Sequence, residues 1–163
     1  MKIRNLALWA VALSVLIFVN YLVFQREKLA ATGKVVLLEL APVDPRSLIQ
    51  GDYMQLRYAL SQEVENHADT GRGFVVVRLD ENNVAHYVKI YAPTTALAGD
   101  EVLLPYRREA FDVRVGPKSF FFQEGHAEYY EEAKYGELRV SDSGAVLLIG
   151  LRDENLRPLG PPR

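Results

Sequence analysis

Gly51-Asp52-Tyr53-Met54-Gln55-Leu56-Arg57-Tyr58-Ala59-Leu60 reads as a tight turn that opens a strand. Gly51 lacks a Cβ and takes positive φ without strain, and Asp52 can accept hydrogen bonds from neighbouring backbone amides. Beyond them, Met54, Leu56, Tyr58 and Leu60 take one parity while Gln55 and Arg57 take the other. Successive side chains of a strand point to opposite faces, so this alternation predicts a half-buried strand over residues 53–60. Tyr58 falls on the apolar parity, and its ring is expected in the core with the hydroxyl hydrogen-bonded at the domain edge.

Outward from this stretch, short apolar runs alternate with turn formers. Residues 34–41 are rich in Val and Leu and predict a first strand. Pro42 and Pro45 cannot donate to a ladder, so they mark a connector, and residues 47–50 fit a helical turn. Residues 61–72 are polar and predict a loop. Residues 74–79 and 84–91 flank Asp80-Glu81-Asn82-Asn83 as a hairpin, and further strands are expected at 102–106, 111–115 and 118–123. Residues 126–134 lack turn formers and predict a short helix; 135–140 and 145–151 pair across Ser141-Asp142-Ser143-Gly144. Phe120-Phe121-Phe122 places rings on both faces of its strand; both faces are expected to be covered, the alternative being that one forms a contact patch for a partner or the bilayer surface. The outcome is a mainly-β domain of about eight strands and one short helix, a small barrel or sandwich without parallel βαβ units.

The N-terminal side is different. Residues 6–24 carry no formal charge, and only Ser14 and Asn20 are distinctly polar. At about 1.5 Å per residue this run spans roughly 28 Å, close to the hydrocarbon thickness of a bilayer. It shows no polar stripe, as the helix of a soluble core would. A cleaved leader has a shorter apolar core, about 7–15 residues, and ends near a small-x-small site. Here the nearest candidate, Ala31 with Leu29 two before it, lies beyond the charged Arg26-Glu27-Lys28. An uncleaved signal anchor is therefore expected. Lys2, Arg4 and the α-amino group precede the run, which points to a cytoplasmic N-terminus by the positive-inside bias. The expected layout is a cytoplasmic segment at 1–5, a single-pass transmembrane helix at 6–24 and a juxtamembrane segment at 25–33. An exported β-rich domain follows at 34–156, then a Pro-rich, extended tail at 157–163. Residues 25–33 extend the helix by a turn or two, with Gly33 as its stop. In a bacterial cell this means the inner (plasma) membrane, with the domain in the periplasm.

Seventeen of the 19 basic residues lie beyond Gln25, against all 21 acidic ones. No basic stripe emerges, so nucleic acid is not an expected partner. The absence of cysteine excludes disulfides, thiol catalysis, cysteine-ligated metals and a lipoprotein anchor.

Catalytic chemistry finds little purchase. A Ser-Lys dyad of the type I signal peptidase kind needs a serine two residues before the proline that precedes the Gly-Asp turn; that position is Val43, and Ser47 lies on the wrong side of Pro45. Lys89, between Val88 and Ile90, fits a surface position on an alternating strand. His67, His86 and His126 are widely separated, and only His126 has nearby carboxylates in Glu124 and Glu128. No catalytic, cofactor-binding or metal-ligating residue is assigned.

The octapeptide from Gly51 to Tyr58 resembles the signature of the GDYXXLXY family of membrane-anchored proteins, through Gly51, Asp52, Tyr53, Leu56 and Tyr58. The resemblance extends to the N-terminal anchor, Asp44-Pro45-Arg46, Phe121-Phe122-Gln123-Glu124-Gly125, Tyr135-Gly136-Glu137-Leu138 and Gly150-Leu151-Arg152-Asp153. It implies a protein of unknown function, with a polytopic membrane protein as candidate partner alongside the bilayer itself. The expected role is binding or supporting another membrane or envelope component. An envelope hydrolase or peptidase with an unrecognised site, or a small-molecule sensor, are the alternatives.

Overall fold

The computed structural model describes residues 2–41, 49–50, 53–68, 71–93, 97–109 and 112–161. Helix α1 runs over Lys2–Thr32 for 31 residues, so it is about 46 Å long. The side chains described at positions 8–28 are all exposed. A core helix of this apolarity would be buried, so α1 is long and apolar enough to cross a membrane and is not part of the core. The hydroxyl of Ser14 donates to Ala10 O and the amide of Asn20 to Leu16 O, both at 2.8 Å. Both side chains thus donate back to the helix's own backbone, which suits an apolar surrounding.

Gly33 stops α1 by proximity, with its backbone outside the left-handed region. A Cβ there would lie 2.6 Å from Leu29 O and 3.0 Å from Arg139 Cβ. Leu29 is 8% exposed, and the Arg139 guanidinium donates to Gly33 O at 3.2 Å. The chain therefore passes from helix to sheet in a single packed step.

Strand β1 (Lys34–Glu39) pairs antiparallel with β9 (Tyr135–Val140), from Lys34↔Val140 to Glu39↔Tyr135. On its other side β9 pairs with β10 (Val146–Arg152), whose register shifts between Leu148 and Gly150. The second sheet has the order β2 (Ile49–Gln50), β3 (Tyr53–Gln55), β8 (Ser119–Phe121). The third has the order β5 (Ala85–Ile90), β4 (Arg72–Leu79), β6 (Glu101–Glu109), β7 (Asp112–Val115). Isolated bridges join the sheets: Leu37↔Val84 ties β1 to the β4–β5 hairpin, and Leu40↔Tyr58 ties the end of β1 to the signature segment. The result is a set of curled sheets, a half-barrel, around one core.

That core takes alternate residues from each wall. Val36, Leu38 and Leu40 follow β1; Leu104 and Tyr106 lie on β6; Leu138 and Val140 on β9; and Met54, Leu56 and Tyr58 come from the signature. Phe120 and Phe122 close one end against Tyr130, with ring centroids 5.0 and 5.3 Å from it.

Four expectations need correction. The strand expected over 53–60 ends at Gln55, and 61–67 are not loop: Ala59–His67 is helix α2. Leu60, Val64 and Ala68 recur at helical spacing and bury one face, while Arg108 holds the carbonyls of Glu65 and Ala68 at 2.9 and 3.0 Å. Ile49 and Gln50 pair as strand, not helical turn, opposite Met54 and Tyr53. The helix expected at 126–134 is a single 3-10 turn, Ala127–Tyr130. The tail folds back on β10 through the Arg152↔Pro158 bridge and Leu159 N–H to Leu151 O at 2.9 Å. The 42–46 connector, residues 47–48, the Gly51-Asp52 turn and Phe111 lie outside the described residues.

Candidate functional site

Tyr58 organises the signature. Its ring is 3% exposed and lies between two glycines on different chain segments. Gly116 has φ +73°, and a Cβ there would meet Tyr58 Cε2 at 3.4 Å; one on Gly136 would meet Tyr58 Cε1 at 3.0 Å. The missing side chain at Gly136 is the slot for the ring. Contrary to expectation, the Tyr58 hydroxyl has no hydrogen-bond partner among the described residues. Burial pushes its pKa far above the usual phenol range, so the group stays neutral.

Two of the other resembling segments, 135–138 and 150–153, lie side by side on the same wall. Tyr135-Gly136-Glu137-Leu138 is most of β9: Gly136 admits Tyr58, Leu138 is fully buried, and Glu137 receives Arg152 Nε at 2.9 Å. The Arg152 guanidinium also donates to Leu156 O at 2.6 Å, and Asp153 accepts the Arg157 N–H at 2.8 Å. These residues lock β9, β10 and the tail together. Distant in sequence, they form one framework.

Beside Tyr58 opens a cleft of about 680 Å³, with Tyr53, Arg57, Glu65, Asp112, Lys118 and Phe121 among its lining residues. Gln55 and Arg57 face outward, as the parity predicted, whereas Leu56 is buried. On β8 the two faces differ. Phe120 and Phe122 pack inward, but Phe121 is 74% exposed rather than covered, and its ring lies 5.7 Å from that of Tyr53. Strand alternation demanded one outward ring, and among the described residues β8 pairs only with β3.

The remaining candidates stay apart. His67 stacks on Tyr87 at 5.0 Å, His126 packs edge-on against Tyr129 at 5.4 Å, and His86 Nε2 lies 3.3 Å from Asp80 Oδ2. Among the described residues no three His, Asp or Glu side chains are grouped to hold a metal. Lys89 is half-buried on β5, while Ser47 and Asp52 lie outside the described residues.

Fold and framework define a class: a mainly-β domain built directly onto one long apolar helix, its wall organised by a buried tyrosine and its glycine slot. The GDYXXLXY protein family profile matches residues 15–151, most of the chain, and this protein belongs to that family. Comparison with curated proteins and with solved structures yields no significant match.

Proposed function

We propose that this is a single-pass membrane-anchored protein whose exported domain binds another integral membrane protein, and that Phe121 with Tyr53 forms the contact. The observation that carries this reading is the exposed Phe121 ring, lying tilted against a signature tyrosine beside the cleft that both line. A large ring left 74% exposed on a three-residue strand adds nothing to the domain's own core. Aromatic side chains are the usual anchors of protein interfaces, because they bury large area with few rotors to freeze. The anchor stays uncleaved with its N-terminus in the cytoplasm, so the domain lies on the far side of the plasma membrane.

Co-purification in mild detergent tests the reading. The wild-type chain is expected to carry a polytopic membrane protein, and Phe121→Ser to lose it while melting at the same temperature. A wild-type chain that always elutes alone, after crosslinking in intact membranes as well, defeats it. Reporter fusions at either terminus read the orientation, and the intact mass of membrane-extracted protein reads retention of residues 1–33.

A further inference from the structure

A second cavity, of about 1190 Å³, lies where α1 meets the domain. Its walls come from the last turns of α1, from β6 and from the β9–β10 turn. Arg26, Lys28, Lys34, Arg107 and Arg114 line it with a single carboxylate, Asp142. Arg114 is paired with Glu109. Among the described residues Arg26, Lys28 and Arg107 form no ion pair, and Lys34 Nζ reaches only the carbonyl of Gly99, at 3.3 Å. Four uncompensated cations thus face one acid in a chain whose overall charge is −2.

The helix end opposes an anion only weakly. The macrodipole places about half a negative charge at a C-terminus. Here the carbonyls of Lys28, Leu29 and Gly33 are already held by the Thr32 hydroxyl, the Gly33 N–H and Arg139. The cations outweigh it.

Height narrows the ligand. The apolar run ends at Phe24, so Arg26 and Lys28 stand about 3 to 6 Å farther along the helix. The headgroup layer extends about 5 to 8 Å beyond the hydrocarbon on each side. Ser141 and Ser143, whose hydroxyls bond each other at 2.8 Å, line it together with the apolar Leu29 and Val146.

We infer that this groove binds a phosphate-bearing anion, and that its occupant is the headgroup of an anionic phospholipid. The inference rests on α1 crossing the bilayer. A cationic groove at that height meets phosphodiesters continuously, and a headgroup without its own cation leaves the charge for the arginines and lysines.

The test uses the full chain in non-ionic detergent, titrated separately with short-chain phosphatidylglycerol, short-chain phosphatidylcholine and inorganic phosphate, with occupancy read by native mass spectrometry. Phosphatidylglycerol is expected to bind saturably and phosphatidylcholine not to bind at matching concentrations. In the double variant Arg26→Gln/Arg107→Gln affinity for phosphatidylglycerol should fall roughly 10- to 30-fold. Lys89→Gln should leave it unchanged, and far-UV circular dichroism should match in all variants, since Arg26 and Arg107 are exposed. Displacement of phosphatidylglycerol by comparable inorganic phosphate would support the site and assign it to soluble phosphate esters. Equal binding of both lipids, or unchanged affinity in the double variant, would overturn the site. Alkaline extraction of membranes reports separately whether α1 anchors the chain, so a failed anchor cannot be mistaken for a failed site.

Discussion

Tyr58 carries a buried hydroxyl with no described hydrogen-bond partner. Tyr58→Phe keeps the ring and removes the unpaired group, so urea unfolding should show stability unchanged or raised by about 1 kcal/mol. Tyr58→Ala empties the slot and should cost about 3–5 kcal/mol. Gly136→Ala places a Cβ 3.0 Å from the ring and should cost about 1–3 kcal/mol, less in a Tyr58→Leu background, where a double-mutant cycle reads the coupling. Alkali gives an independent signature. Because burial raises the folded-state pKa above the unfolded value of about 10, Tyr58 contributes fully below that pH and loses its contribution as pH rises through the folded value. Stability should therefore decline in strong alkali, less steeply in Tyr58→Phe. Burial also raises Tyr87 and Tyr135, so some slope should persist. Parity announced the burial of Met54, Leu56 and Tyr58. It could not announce Gly116 and Gly136, because a slot is a relation between segments that pattern does not link.

At the scale of elements, strands were the legible part. Valine- and leucine-rich runs bounded by turn formers located β1, β4, β5, β9 and β10 to within a few residues. Helix α2 escaped because Ser61-Gln62-Glu63 and Glu65-Asn66-His67 read as solvated loop, and Tyr58 at its N-cap makes no side-chain cap bond. The signal present was Leu60, Val64 and Ala68 at four-residue spacing. Since Arg108 closes the far end of α2, Arg108→Ala should cost about 1 kcal/mol and speed amide exchange near Glu65 and Ala68. The β4–β5 turn has its own pH dependence. Burial alone would raise Asp80, but bonds from the Val84 N–H, His86 and the Asn82 N–H hold its carboxyl below the usual range. Its contribution is present above the unfolded value of about 3.9 and is lost as pH falls through the folded one. Amide protection factors in this hairpin, corrected for the intrinsic pH dependence of exchange, should therefore fall in acid, and Asp80→Asn should remove that change.

For the whole molecule, length and apolarity identified α1, and exposure separates it from a core helix. What the linear pattern did not reveal is that the helix has no hinge. Leu29, Gly33 and Arg139 seat the last turn of α1 directly on the sheet, so rotation of the helix about its axis is rotation of the domain. An α-helix advances about 100° per residue, and seven residues nearly complete two turns. One alanine inserted after Phe24 should swing the Phe121 edge by about a quarter turn and weaken partner capture, whereas seven should restore the original bearing within about 20° and recover much of it. Capture that varied smoothly with insert length would instead mean a joint that slips. Where capture follows the helical bearing, α1 acts as a compass needle as well as a tether, fixing the direction in which the domain looks.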